Sequence, residues 1–189
     1  MEKPKLLGSK TLFSGYIEVK EDLLERKDGK TIGYTHFKTP SDAVVIIATN
    51  REGKLVLNRE YRHPIGSYIL GCPGGTLEKN EDPLIGARRE LLEETGYWSD
   101  ELRILGASHQ IPALTSQKIY FIEAKNAFLK EGQKLDPFEY IQTELKTQDE
   151  IGQDVLSGVV FDGHLLAALA LIRFHSESKR SASFFGNEK

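Results

Sequence analysis

Between Asp82 and Gly96 the chain spells out one complete helix, and that segment constrains the fold more than any other. Asp82 can cap the helix with its side-chain oxygen, and Pro83 suits the first helical position, where no backbone N–H is needed. Leu84, Ala87 and Leu91 fall at i, i+3 and i+7 and form one apolar stripe. Gly96 supplies the left-handed stop. A helix with one apolar stripe must be covered by another layer, so the rest of the chain has to fold around it. The opposite face is chemically unusual. Glu90, Glu93 and Glu94 stand at i, i+3 and i+4 and crowd three carboxylates onto about one turn, with Gly86 leaving space one turn earlier. Each like-charged pair costs about 0.2–0.5 kcal/mol. Arg89 can reach Glu93 at i+4, but one arginine does not neutralise three acids, and hard divalent cations prefer oxygen ligands of this kind. The run Gly71-Cys72-Pro73-Gly74-Gly75 just upstream suits close backbone approach to a ligand or metal. It is not a Walker loop, since no Gly-Lys-Ser/Thr follows. An isolated Glu-x-x-Glu-Glu would usually be a solvated acidic face, so the decision rests on the wider pattern.

Most of the remaining elements read as strands. Thr11–Phe13 and Tyr16–Val19 lead to Leu23–Arg26, and the Asp28-Gly29 turn returns the chain through Thr31–Lys38. Pro40-Ser41-Asp42 separates this unit, which is either a small β domain or the first sheet of a larger fold. Ala43–Ala48 is an apolar run with a β-branched centre, Lys54–Arg59 alternates as a second strand, and Tyr68-Ile69-Leu70 precedes the glycine-rich run. Leu102–Ala107 and Lys118–Ala124 are further strands, and the polar stretch Lys125–Glu139 reads as a long loop. Tyr140–Leu145 reads as a last strand. Thr147-Gln148-Asp149-Glu150 is a capping-box pattern opening a short helix that ends near Gly158. Leu165, Leu166, Leu169 and Ile172 give the final helix a core face, and Lys179-Arg180 with Phe184-Phe185 form either a partner surface or a loose tail.

Composition narrows the function classes. Twenty-five basic against 28 acidic residues give a net charge of −3, which argues against a nucleic-acid surface. No window approaches the roughly 20 apolar residues of a membrane span, and Met1-Glu2-Lys3-Pro4 lacks the apolar core of a secretory signal. The single cysteine, Cys72, cannot form an internal disulfide, which fits a cytoplasmic protein. The five histidines show no metal-ligand spacing.

Gly75, five residues, Glu81, seven residues and then Arg89-Glu90-Leu91-Leu92-Glu93-Glu94-Thr95-Gly96-Tyr97 resembles the signature of the Nudix hydrolase family. Every charged and glycine position of that signature is matched. Tyr97 departs from the usual aliphatic residue and affects packing more than metal binding. The resemblance implies an α/β (α+β) fold, an α/β/α sandwich around a mixed sheet, preceded by a small N-terminal antiparallel β region. The domains expected are residues 1–40, a dimerising β region, and 41–189, the hydrolase domain. It further implies Glu90, Glu93, Glu94 and the Gly74 carbonyl as ligands of Mg²⁺, or Mn²⁺ in its place, with Glu81 and Arg89 bracing them.

Other features resemble the subfamily acting on ADP-ribose and nucleoside diphosphate sugars. Pro112 lies sixteen residues after Gly96, and Arg59-Glu60-Tyr61-Arg62 is similar to its arginine–aromatic–arginine segment. Arg59 and Arg62 are therefore expected phosphate contacts, with Pro112 beside the substrate. Phe37, Tyr34 and Tyr16 are the aromatics available to stack on a base. The same resemblance implies a general base from a late loop, for which Glu139 is preferred, with Asp136 and Glu131 behind it and Glu93 as the alternative. The expected reaction is Mg²⁺-dependent hydrolysis of the pyrophosphate bond to a nucleoside monophosphate and a sugar phosphate, by a homodimer. The alternatives are a pyrophosphatase for dinucleoside polyphosphates or nucleoside triphosphates, and a nucleotide sensor without turnover.

Overall fold

A computed structural model of the chain describes residues 2–159 and 161–184, with side chains in the last helix described as far as residue 177. The side chains of Lys179, Arg180, Phe184 and Phe185 lie outside the described residues. Two compact units emerge: residues through Asp42 with Ser108–Ile119, and Ala43–Ala107 with residues from Tyr120 onward.

In the first unit β1 (Lys5–Ser14), β2 (Glu18–Glu25) and β3 (Thr31–Lys38) form an antiparallel sheet in that order. The two short segments read between Tyr16 and Arg26 are one strand, because their pairing with β3 runs unbroken from Glu18↔Lys38 to Glu25↔Thr31. Gly29 turns the β2–β3 hairpin at φ 78°. The segment 108–119 docks on β3, where Leu114 O accepts from Phe37 N (2.8 Å) and Ala113 O from the Tyr34 hydroxyl (2.5 Å). This sheet displays apolar side chains to solvent: Phe13 is 59% and Ile32 59% exposed.

The second unit holds a seven-stranded sheet with three helices. Its strands are β4 (Ala43–Asn50), β5 (Leu55–Arg62), β6 (Ser67–Gly71), β7 (Tyr97–Trp98), β8 (Glu101–Ser108), β9 (Ile119–Leu129) and β10 (Ile141–Lys146). Strand β5 is the hub. It pairs β10 from Leu55↔Lys146 to Glu60↔Ile141, β4 at Val56↔Ala48, and β6 from Asn58↔Gly71 to Arg62↔Ser67, all antiparallel.

The helices are α1 (Pro83–Thr95), α2 (Gln148–Leu156) and α3 (Gly163–Phe184). Val44, Ile46 and Ala48 of β4 pack in one cluster with Ala87 and Leu91 of α1. Val45 and Ile47 point to the other face and are buried as well, so both faces of the sheet are covered. That is the expected α/β/α layering. α1 begins and ends where the caps require: Asp82 accepts from Leu84 N and Ile85 N, and Gly96 adopts φ 74°. α2 opens with the expected capping box between Thr147 and Glu150.

One sequence expectation changes. The segment expected as a loop from Lys125 continues β9 to Leu129, since Asn126 takes a left-handed φ of 53° and returns Ala127 to the buried face. The true loop, 130–140, is tied to the end of α1. Lys130 N reaches Gly96 O (2.9 Å), Lys134 N reaches Glu93 O (2.7 Å) and the Gln133 amide reaches Glu94 O (2.5 Å).

Candidate active site

Helix α1 presents its acids at graded depth. Glu94 is 5% exposed, Glu90 is 9% exposed, and the Glu93 side chain is 42% exposed. Arg89 gathers their outer rim. Its Nε and Nη2 hold Glu81 in a bidentate pair at 3.0 and 2.9 Å, while Nη1 reaches Glu90 at 2.8 Å and Glu93 at 3.2 Å. The bond from Arg89 holds Glu81 below the usual carboxylate range, and Glu81 in turn raises the arginine. Glu81 also accepts from Glu78 N (2.9 Å), which fixes the turn ahead of the helix. Glu81 and Arg89 thus form one hydrogen-bonded unit with Glu90 and Glu93.

Glu94 lies beyond the arginine. Its Oε2 accepts from Gly74 N at 2.8 Å and from the Asn58 amide at 2.9 Å. Burial pushes its carboxyl well above the ordinary value, and the nearby charges of Glu90, Glu60 and Glu139 push the same way against the Gly74 bond. Glu90 is also raised, chiefly by burial, with Arg89 opposing. Glu60 on β5 is raised by burial too, despite its ion pair to Arg62 at 2.5 Å. Three carboxylates, Glu60, Glu90 and Glu94, are thus raised chiefly by burial, with Arg62 paired to the first and Arg89 to the second.

The glycine loop is shaped to this cluster. Val44 N bonds Gly75 O and Ile46 N bonds Pro73 O, pinning the loop to β4. Gly74 sits at φ 153°, and a Cβ there would run into the Val44 carbonyl. A Cβ on Gly75 would lie 2.5 Å from Glu90 Oε1 and 2.7 Å from its Oε2. These oxygens, with the carbonyl of Gly74, are the hard donors a divalent cation prefers, and the uncompensated buried charge favours one. Among the described residues no three His, Cys, Asp or Glu side chains are arranged to hold a metal ion together. Arg89 draws Glu90 and Glu93 outward, while Gly74 and Asn58 hold Glu94 inward.

The other expected site residues separate. Glu139 lies just before β10, its carboxylate accepting from Asp136 N (2.9 Å) and close enough to raise Glu60, Glu90 and Glu94. Glu131 is paired instead with Lys134 at 2.8 Å. Arg59, expected as a phosphate contact, is bound to Glu144 of β10 at 2.5 Å, on the face of β5 opposite Asn58 and Glu60. Arg62 shares the face of Asn58 and reaches Asp162 at 4.0 Å. Pro112 lines a cavity of about 290 Å³ with Tyr34, His36 and Lys38. Phe37 alternates with Tyr34 and His36 along β3 and is not among the residues lining that cavity. Burial pushes the Cys72 thiol up to about 12, with Asp162 acting the same way, which disfavours the thiolate a nucleophile needs. Sequence reading missed Asn58 and Glu60. The only trace of Asn58 was a polar residue directly after the apolar run Leu55-Val56-Leu57.

Comparison with known proteins agrees with this geometry. Residues 39–154 match the sequence model of the NUDIX domain. The methanol dehydrogenase activator of Bacillus methanolicus is 30% identical over 93% of this chain and 95% of its own. The ADP-ribose pyrophosphatase of Bacillus subtilis (strain 168) is 29% identical over 89% and 92%. A crystal structure of an ADP compounds hydrolase superposes with a TM-score of 0.83 at 25% identity, covering 95% of this chain and 97% of the other.

Proposed function

Because this chain belongs to the Nudix hydrolase family, whose pyrophosphatases generally need divalent metal ions, we propose that it hydrolyses the pyrophosphate bond of ADP-ribose or a related nucleoside diphosphate sugar. The products are a nucleoside monophosphate and a sugar phosphate. The observation that carries the reading is Glu94, buried among the charges of Glu90, Glu60 and Glu139 against a glycine loop shaped to receive an ion.

Glu90, Glu93, Glu94 and the Gly74 carbonyl hold the cation, which we assign as Mg²⁺ with Mn²⁺ able to replace it. When bound, that ion supplies polarisation of the phosphoryl oxygens and a water of lowered pKa. Glu81 and Arg89 keep the carboxylates in place. Glu139 accepts the proton of the attacking water, with the more exposed Glu93 as the alternative acceptor. Arg62 meets the phosphates.

Substrate choice follows from relatives whose names are ADP-ribose pyrophosphatase and ADP compounds hydrolase. The assay is turnover of ADP-ribose, GDP-mannose, UDP-glucose, diadenosine polyphosphates and nucleoside triphosphates with Mg²⁺, wild type beside Glu94→Gln. Monophosphate plus sugar phosphate, lost in the variant, supports the reading; cleavage of triphosphates or polyphosphates alone refutes the substrate class.

The solvent-facing apolar side chains of the N-terminal sheet support a homodimer formed through that region, which a monomeric mass by light scattering at micromolar concentration would exclude. A cytoplasmic location is proposed from the lone cysteine. Among the described residues no helix is long and apolar enough to cross a membrane.

A further inference from the structure

Asn58 is only 2% exposed, and it follows three buried apolar residues of β5. A buried amide costs free energy unless all its groups are paired, so its retention calls for a reason. Its nitrogen donates to Glu94 Oε2 at 2.9 Å. Its Oδ1 is buried without a hydrogen-bond partner among the described residues. The same Glu94 oxygen also accepts from Gly74 N at 2.8 Å. Two donors from different strands and loops therefore converge on Oε2, which leaves Oε1 as the oxygen free of those bonds.

We propose that Asn58 is a positioning residue for the divalent cation. It clamps Glu94 by Oε2 so that Oε1 is presented to the ion, and its orphaned Oδ1 accepts a hydrogen bond from a water carried by that ion. The inference rests on the assignment of Glu94 as a metal ligand. A purely structural role does not account for the geometry, because an isosteric apolar residue would fill the same space and remove the unpaired acceptor.

The test uses Mn²⁺ alone, with binding followed by electron paramagnetic resonance of the free ion, so no substrate enters. Asn58→Leu is combined with Glu94→Gln in a double-mutant cycle, with thermal melting of the metal-free proteins alongside. Removing a partner that orients a ligand weakens metal affinity by about 10–100-fold. The proposal expects at least a tenfold loss in Asn58→Leu, with a metal-free melting temperature equal to or above wild type. In the Glu94→Gln background the same substitution should change affinity less than twofold. Wild-type affinity in Asn58→Leu, or the same loss in both backgrounds, overturns the clamp. Wild-type affinity in Glu94→Gln alone overturns the ligand assignment, and the clamp with it. If Asn58→Leu does not fold, Asn58→Ser takes its place in the same cycle.

Discussion

Gly75→Ala is the sharpest perturbation of the site, because it adds one methyl group and changes no charge. The new Cβ would lie 2.5 Å from Glu90 Oε1, 2.6 Å from Cδ and 2.7 Å from Oε2, so the whole carboxyl group is in its way. Comfortable contact needs about 3.5 Å, so Glu90 must retreat by about 1 Å. It cannot simply rotate, since Arg89 holds Oε1 at 2.8 Å and the residue is 9% exposed. A misplacement of about 1 Å in a reacting constellation costs about 100-fold in rate, or about 2.7 kcal/mol in the barrier. The same crowding should cost about 1–3 kcal/mol of stability, offset in part by the lower entropy of the unfolded chain, about 0.4–1 kcal/mol, since Gly75 has no left-handed φ to lose. The assay is kcat/KM for ADP-ribose with Mg²⁺, with Mn²⁺ affinity and thermal melting on the same samples. Activity within threefold of wild type, in a protein that melts normally, would refute the tight fit between the loop and Glu90.

Three further outcomes follow from the geometry. Burial holds the folded-state pKa of Glu94 above the ordinary carboxylate value of 4.5, so between 4.5 and that raised value the folded state binds more protons than the unfolded one, and stability falls as pH rises. In EDTA, Glu94→Gln should therefore melt above wild type at pH 8, with the gap closing towards pH 5; a gap that widens on acidification contradicts the burial argument. Glu139→Gln should lose turnover by about 10²–10⁴-fold while binding Mn²⁺ normally, and near-normal turnover would transfer the base to Glu93. Arg62→Ala should raise KM for ADP-ribose, whereas Arg59→Ala should leave KM within threefold and destabilise by no more than about 1 kcal/mol, its Glu144 pair being partly exposed. Equal effects on KM would show that the two faces of β5 have been misassigned.

The contrast between those arginines shows where sequence reading stops. Helix α1 was legible to the residue because its signals are local: an Asp82 cap, Pro83, an apolar stripe and Gly96 each act within a turn of themselves. The same locality made the Glu90, Glu93 and Glu94 face legible. Arg59, Glu60 and Arg62 pose a different problem, since alternation along a strand says only that Arg59 opposes Glu60 and Arg62. Which face meets Glu94 is set by a contact 36 residues away, from Asn58 to Glu94. Phe37 and Tyr34 pose the same problem on β3, where only the long-range bond from the Tyr34 hydroxyl to Ala113 O shows which of them meets the 108–119 segment through its side chain.

The long-range contacts that were not legible also explain why the acids are stable where they are. Glu90 and Glu94 come from the helix, Glu60 from β5 and Glu139 from the loop before β10, so no single segment reveals how much negative charge the fold collects. Arg89 answers the part of that charge visible in the local pattern, binding Glu81, Glu90 and Glu93. Arg62 answers Glu60. Glu94 is reached by neither and has only the neutral donors of Gly74 and Asn58, which orient a carboxylate without cancelling its charge. The fold thus leaves its deepest acid as its least compensated one, and a cation bound beside Glu94 would relieve repulsion from all three of its neighbours at once. Metal binding should therefore stabilise the whole α1–β5–β10 layer, well beyond the loop that carries the glycines.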